Sequence, residues 1–230
     1  MIRYAMAMLV VVLLATPALA QQGKPRVDYF ELRADSLDAA EQALGDFMLG
    51  NPLRFSWNLS ERIDLDYDFA FSAPTKDQLD GLDQVEVGIV MDVRRCGLPI
   101  RLDLPSPKVT RALPEADREA WRARTDALRG AQLLHYQVFR ESGIVERACR
   151  QIENIAAMEI PLVKRKALRD LIRVHLHDRV ALILEHYQAL LGPYHKRLEK
   201  LREGGGLDGA AEAALFAELR EKAAALPDFK

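Results

Sequence analysis

The sequence predicts an α+β fold: a small antiparallel sheet with one helix, followed by a long-helix, mostly α-helical C-terminal half. Three observations predict it. Between Val27 and Leu104, apolar and polar residues alternate at a period of two in several short runs. After Pro114 the period changes. Trp121, Leu128, His135, Ser142 and Cys149 fall seven apart, and Ala131, Val138, Val145 and Ile152 interleave three residues beyond four of them. Between the two patterns stands Leu104-Pro105-Ser106-Pro107, which ends the sheet region.

The elements follow in chain order. Residues 1–20 read as a signal peptide: Arg3 for the positive end, Ala5 to Leu14 for the apolar core, and Ala18-Leu19-Ala20 before the cut. That run is short for a bilayer span and no later run is long enough, so the chain reads as exported, periplasmic or secreted, and not integral to a membrane. Val27–Leu32 is a strand candidate. Ser36 caps a helix with Leu37, Ala40, Ala43, Leu44 and Phe47 on one face, ended by Gly50-Asn51-Pro52. Leu53–Leu59 alternates Leu53, Phe55, Trp57 and Leu59 against polar neighbours and reads as a half-buried strand, and Ile63–Phe71 continues the period. Val85–Val93 and Pro99–Leu104 supply two more strands. Everything after Pro114 reads as helix, with a turn near Glu159-Ile160. A second helix runs from about Pro161 to Leu191 and is interrupted by Gly192-Pro193. Gly204-Gly205-Gly206 forms a joint before a terminal helix. The divisions expected are 21–157 as an α+β domain ending in a long helix, 158–203 as a helical extension, and 204–230 as linker and last helix.

Charge argues against nucleic acid as a partner. Without Arg3 the exported chain carries 31 basic against 34 acidic residues, far from the basic balance of a general nucleic-acid binder. The charge is uneven, with ten Lys/Arg against sixteen Asp/Glu over 21–110 and ten against five over 161–203. The latter includes the basic surface Lys164, Arg165, Lys166, Arg169 and Arg173, which reads as a solvated face or as a surface for envelope association. Two cysteines, Cys96 and Cys149, are expected to pair in an oxidising compartment.

Chemistry-bearing patterns are sparse. The spacing Asp64-x-Asp66-x-Asp68 puts three acids on one strand face, but the glycine turn and distal Glu of an EF-hand calcium loop are absent. There is no nucleophile elbow, no dinucleotide fingerprint and no phosphate loop. Among the five histidines, His175 and His177 diverge on a helix, and no H-x-x-x-H pair exists. His135 stands apart because it falls in the apolar stripe. An antiparallel hairpin turning near Glu159-Ile160 sets His135 level with residue 184. This makes His135, Glu185 and His186 the candidate metal set; a core histidine satisfied by one hydrogen bond is the plainer alternative.

The order of features from Val27 to Ile155 resembles the bacterial secreted family of zinc-dependent proteases known as domain of unknown function 922. The likeness is carried by YFELRADSLDAAEQAL, by the strands with Trp57, by VRRCGLPIRLDLP, and by Trp121-RARTDALRG with the helix that follows. The resemblance implies H-E-x-x-H ten residues beyond Trp121, where this chain has Ala131-Gln132-Leu133-Leu134-His135. The last His is kept; Ala131 lacks a ligand atom, and Gln132 cannot act as the general base. The expected function is therefore an exported, non-catalytic binding or structural protein with no cofactor. Its unknown protein partner would be met through the C-terminal helices. The alternative is a divergent zinc-dependent hydrolase using His135 with residues of the following helix.

Overall fold

The computed structural model describes residues 25–72, 84–161, 168–203 and 208–229. The signal-like residues 1–20, Lys164, Arg165, Lys166 and the Gly204-Gly205-Gly206 joint lie outside the described residues. The elements run β1 (Arg26–Phe30), α1 (Leu37–Gly50), α2 (Pro52–Phe55), α3 (Leu59–Arg62), β2 (Asp64–Phe71), β3 (Gln84–Gly97) and β4 (Arg101–Pro105). They continue with α4 (Pro107–Ala112), α5 (Glu115–Ser142), α6 (Ile144–Glu153), β5 (Ala157–Pro161), α7 (Leu168–Glu203) and α8 (Gly209–Ala225). The fold is α+β.

The sheet is antiparallel in the order β2-β3-β5. On β3, Val85, Val87 and Ile89 are buried while Glu86, Gly88 and Val90 face out, so the period of two marks a sheet with one covered face. That face meets α6 and α7 in the main core, with Ile152, Ile172, Leu176 and Tyr187 fully buried. The acids Asp64, Asp66 and Asp68 share the outer face as their spacing requires. They lie among arginines: from β3, Arg95 reaches Asp64 and Asp66 and Arg94 reaches Asp68, and from α7 Arg169 reaches Asp68. The aspartates are thereby partly neutralised by side chains of the fold itself.

β1 and β4 stand apart as a parallel pair, Arg26 beside Arg101 through Phe30 beside Pro105. The sequence predicts a largely antiparallel sheet for the strands, and this parallel pair is the departure from it. The long connection from β1 to β4, with α1 and two strands inside it, permits the parallel pairing. Ser36 caps α1 as its sequence predicts, its Oγ accepting from the Ala39 amide at 3.3 Å.

Leu53–Leu59 is not a strand. Pro52 occupies the first turn of α2, and the Asn58 side chain caps α3 by accepting from the Ser60 amide at 3.2 Å. The alternating residues go to different places instead of one sheet face. Phe55 packs edge-on to the stacked Phe30 and Phe47, Trp57 covers His135, Leu59 enters the main core and Leu53 stays exposed.

The expected long helix breaks at Gly143, whose φ of 61° ends α5 in the left-handed region before α6 starts. The expected turn at Glu159-Ile160 is instead β5, which pairs with β3 from Gln84–Pro161 to Gly88–Ala157. The helix α7 runs through Gly192-Pro193 without interruption. An internal proline costs about 3 kcal/mol; burial of Leu191, Tyr194, His195 and Leu198 around it offsets that cost. Cys96 at the end of β3 is bonded to Cys149 on α6, Cα to Cα 5.7 Å, which ties the sheet to the helical half as expected. Among the described residues, no helix is long and apolar enough to cross a membrane.

Candidate functional site

The centre of the site lies where α5 passes β4, α2–α3 and α7. Helical spacing puts Gln132 and Tyr136 on one face of α5, one turn apart. Both side chains reach β4. The Gln132 Oε1 accepts from the Asp103 amide at 2.9 Å and its Nε2 donates to the Asp103 carbonyl at 2.7 Å. Tyr136 does the same for Arg101, its hydroxyl accepting from the amide at 2.9 Å and donating to the carbonyl at 2.8 Å. Two side chains thus take the backbone groups that a further strand would have taken. The Asp103 carboxylate, itself buried, pairs with Arg54.

His135 lies between these two residues in sequence and, like Tyr136, packs against Trp57. It is 4% exposed, stacked beneath Trp57 with ring centres 4.3 Å apart, and Trp57 is covered in turn by the Arg62 guanidinium. Its partner is His195 on α7, with Nδ1 to Nδ1 at 2.9 Å, and His195 is 5% exposed against Phe139. Burial pushes the His135 imidazole down to about 3, and His195, Arg202 and Arg62 nearby add to it; burial alone takes His195 to about 3. Both rings are therefore neutral at physiological pH.

One of the two Nδ1 atoms must donate and the other accept. The Glu199 carboxylate stands 3.7 Å from His135 Nε2, which favours the proton there. On that assignment His135 Nδ1 accepts from the Nδ1–H of His195. His195 Nε2 then keeps a bare lone pair, buried without a hydrogen-bond partner.

The structure does not bring together the three metal candidates read from the sequence. His135 meets residue 195 and not 184, a shift of eleven residues along α7. The level estimate assumed a direct helix–helix turn; the break at Gly143, the strand β5 and the segment 162–167 intervene. Glu185 lines an open groove with Asn58, Gln188 and Lys196. His186 donates from Nε2 to the Pro227 carbonyl at 3.1 Å.

Among the described residues no three His, Cys, Asp or Glu side chains are grouped to hold an ion. The residues present do not fit the zinc of an H-E-x-x-H site. Ala131 offers no ligand, Gln132 is committed to Asp103, and Glu199 stands at the nitrogen of His135 that faces away from His195. His195 and Glu199 escaped the sequence reading, although their i, i+4 spacing on one helix was a usable signal. Of the basic surface, Arg169 lies over the Phe69 ring and Arg173 pairs with Asp170 at 3.3 Å. No family model matches the chain, and comparison with curated proteins and with solved structures gives no match either.

Proposed function

We propose that this chain is an exported, non-catalytic binding protein of peptidase-like build that meets a protein partner through its C-terminal helices. The observation that carries the reading is the use of Gln132. A general base must be free to take a proton from water; this side chain is buried and spends both of its polar atoms on Asp103. The helix that would bear the catalytic motif instead closes a strand edge. His135 is likewise packed beneath Trp57 and occupied by His195, away from any substrate. Support for export comes from the signal-like residues 1–20 and from a disulfide suited to an oxidising compartment.

A second reading, a divergent zinc-dependent hydrolase, draws on the two neutral imidazoles whose nitrogens converge at 2.9 Å. It would rest on His135, His195 and Glu199, with Glu199 turned from its present place. Hydrolysis separates the readings. Casein and mixed peptides, incubated with the protein across pH 5–9 and with added zinc, are expected to remain intact beyond the buffer control. Cleavage that His135→Ala abolishes would overturn the non-catalytic reading.

A further inference from the structure

The chain leaves α8 through Leu226, whose backbone is extended, and residues 226–229 lie against α6 and α7. Arg147 on α6 donates to the Ala223 carbonyl at 2.5 Å, the Leu226 carbonyl at 2.6 Å and the Asp228 carboxylate at 2.8 Å. The Tyr187 hydroxyl donates to that same carboxylate at 3.3 Å. One turn after Arg147, Gln151 reads the Phe229 backbone in both senses. Its Nε2 donates to the carbonyl at 3.3 Å, and its Oε1 accepts from the amide at 3.2 Å. His186 takes the Pro227 carbonyl, and the Phe229 ring lies 4.6 Å beneath the Arg179 guanidinium and 5.5 Å from the His186 ring.

This is a division of labour suited to sequence recognition. Side chains of the groove take the main chain, a cation and a hydroxyl take the acid, and a guanidinium and an imidazole take the aromatic ring. The segment is also held differently from the helix before it. Helix α8 is anchored by fully buried Leu215 and Leu219, whereas the Asp228 side chain is 70% exposed and its contacts are polar. Leu226 and Phe229 are only partly buried against the main core, so displacing the segment uncovers those two contacts and leaves the α8 anchors in place.

We propose that the face formed by Arg147, Gln151, Arg179, His186 and Tyr187 is a peptide-recognition site. Its ligand is an extended segment of a partner protein with an acidic residue followed by an aromatic one, and Leu226–Phe229 fills the site in cis. The proposal rests on the binding reading above and names its site and the chemistry of its partner. A tethered segment competes at an effective concentration on the order of millimolar, so the unaltered chain binds such a partner weakly until the segment is displaced.

The test uses the full chain with Asp228→Ala and Phe229→Ala together, the vacated variant, which takes the acid and the ring out of the face and leaves the segment only its main-chain contacts to compete with. The probe is the end-blocked peptide Ala-Leu-Pro-Asp-Phe, titrated calorimetrically. The vacated variant is expected to bind one equivalent, at least about tenfold more tightly than the unaltered chain. Adding Arg147→Ala is expected to weaken binding by about tenfold or more, the worth of a charge-assisted hydrogen bond. A peptide with Asp and Phe exchanged should bind no better than background. No saturable binding to a vacated variant that melts as the parent does would overturn the proposal. Binding indifferent to Arg147→Ala or to the exchanged order would overturn it as well. If the double variant melts early, Phe229→Ala alone carries the same measurements. Failure here leaves the hydrolysis result untouched, and cleavage by the protein would leave this site standing, so the two readings fail separately.

Discussion

Gln132 holds Asp103 at both of its backbone groups, 2.9 Å to the amide and 2.7 Å to the carbonyl. The relationship explains why a glutamine stands where the resemblance places a catalytic glutamate. A carboxylate can accept from the amide, but it has nothing to donate to the carbonyl, and burying a second charge beside the Asp103 carboxylate is unfavourable.

Replacing Gln132 by Ala is expected to leave two buried backbone groups unsatisfied and to cost about 2–4 kcal/mol of stability. Rebuilding the motif with Ala131→His and Gln132→Glu is expected to destabilise the fold without yielding hydrolysis. Denaturant melts and a casein assay check both. A rebuilt variant as stable as the parent would contradict the clamp.

The paired imidazoles make stability depend on acid. Each has a folded pKa of about 3 against 6.5 for an ordinary histidine, so between those values the unfolded chain binds more protons. Their contribution is complete above about pH 6.5 and is lost as the pH falls toward 3. The slope is on the order of 1 kcal/mol per pH unit for each proton that the unfolded chain takes up and the pair does not. Urea melts at pH 7.5, 6 and 5 read this slope. A variant with both His135→Leu and His195→Leu is expected to show a flatter dependence, since the carboxylates titrate mainly below that range.

The Cys96–Cys149 bond closes a loop of 53 residues in sequence separation. Chain-entropy arguments put its contribution at about 4 kcal/mol. Reduction, or Cys96→Ala with Cys149→Ala, is expected to lower the melting temperature markedly, and an unchanged melt would show that the sheet and α6 hold together without it.

Legibility followed how local the determinant is. The Ser36 cap, the alternation of Val85, Val87 and Ile89, and the Cys96–Cys149 pair could be read directly, because each depends on spacing or on residue type. Leu53–Leu59 misled because alternation records only that every second residue is apolar; here Phe55, Trp57 and Leu59 enter three different clusters around the first-turn Pro52 and the Asn58 cap. The strand β5 was hidden because its alternation, Met158 and Ile160 inward against Ala157, Glu159 and Pro161, spans only five residues, and it exists because β3 offers an edge. Gly192-Pro193 reads as a break in isolation, and tertiary packing overrides it. The partner of His135 depends on the register between two helices, which the break at Gly143 and the strand β5 reset. Its place in the core was legible and its partner was not.

Metal content tests the central claim most directly. The protein, exported through an oxidising compartment and purified without a histidine tag or chelator, is dialysed and its zinc measured against chain concentration. The account predicts well under one zinc per chain, unchanged by His135→Ala, with the fold intact. About one zinc per chain, lost in His135→Ala or His195→Ala, would contradict it and make the imidazole pair a metal site.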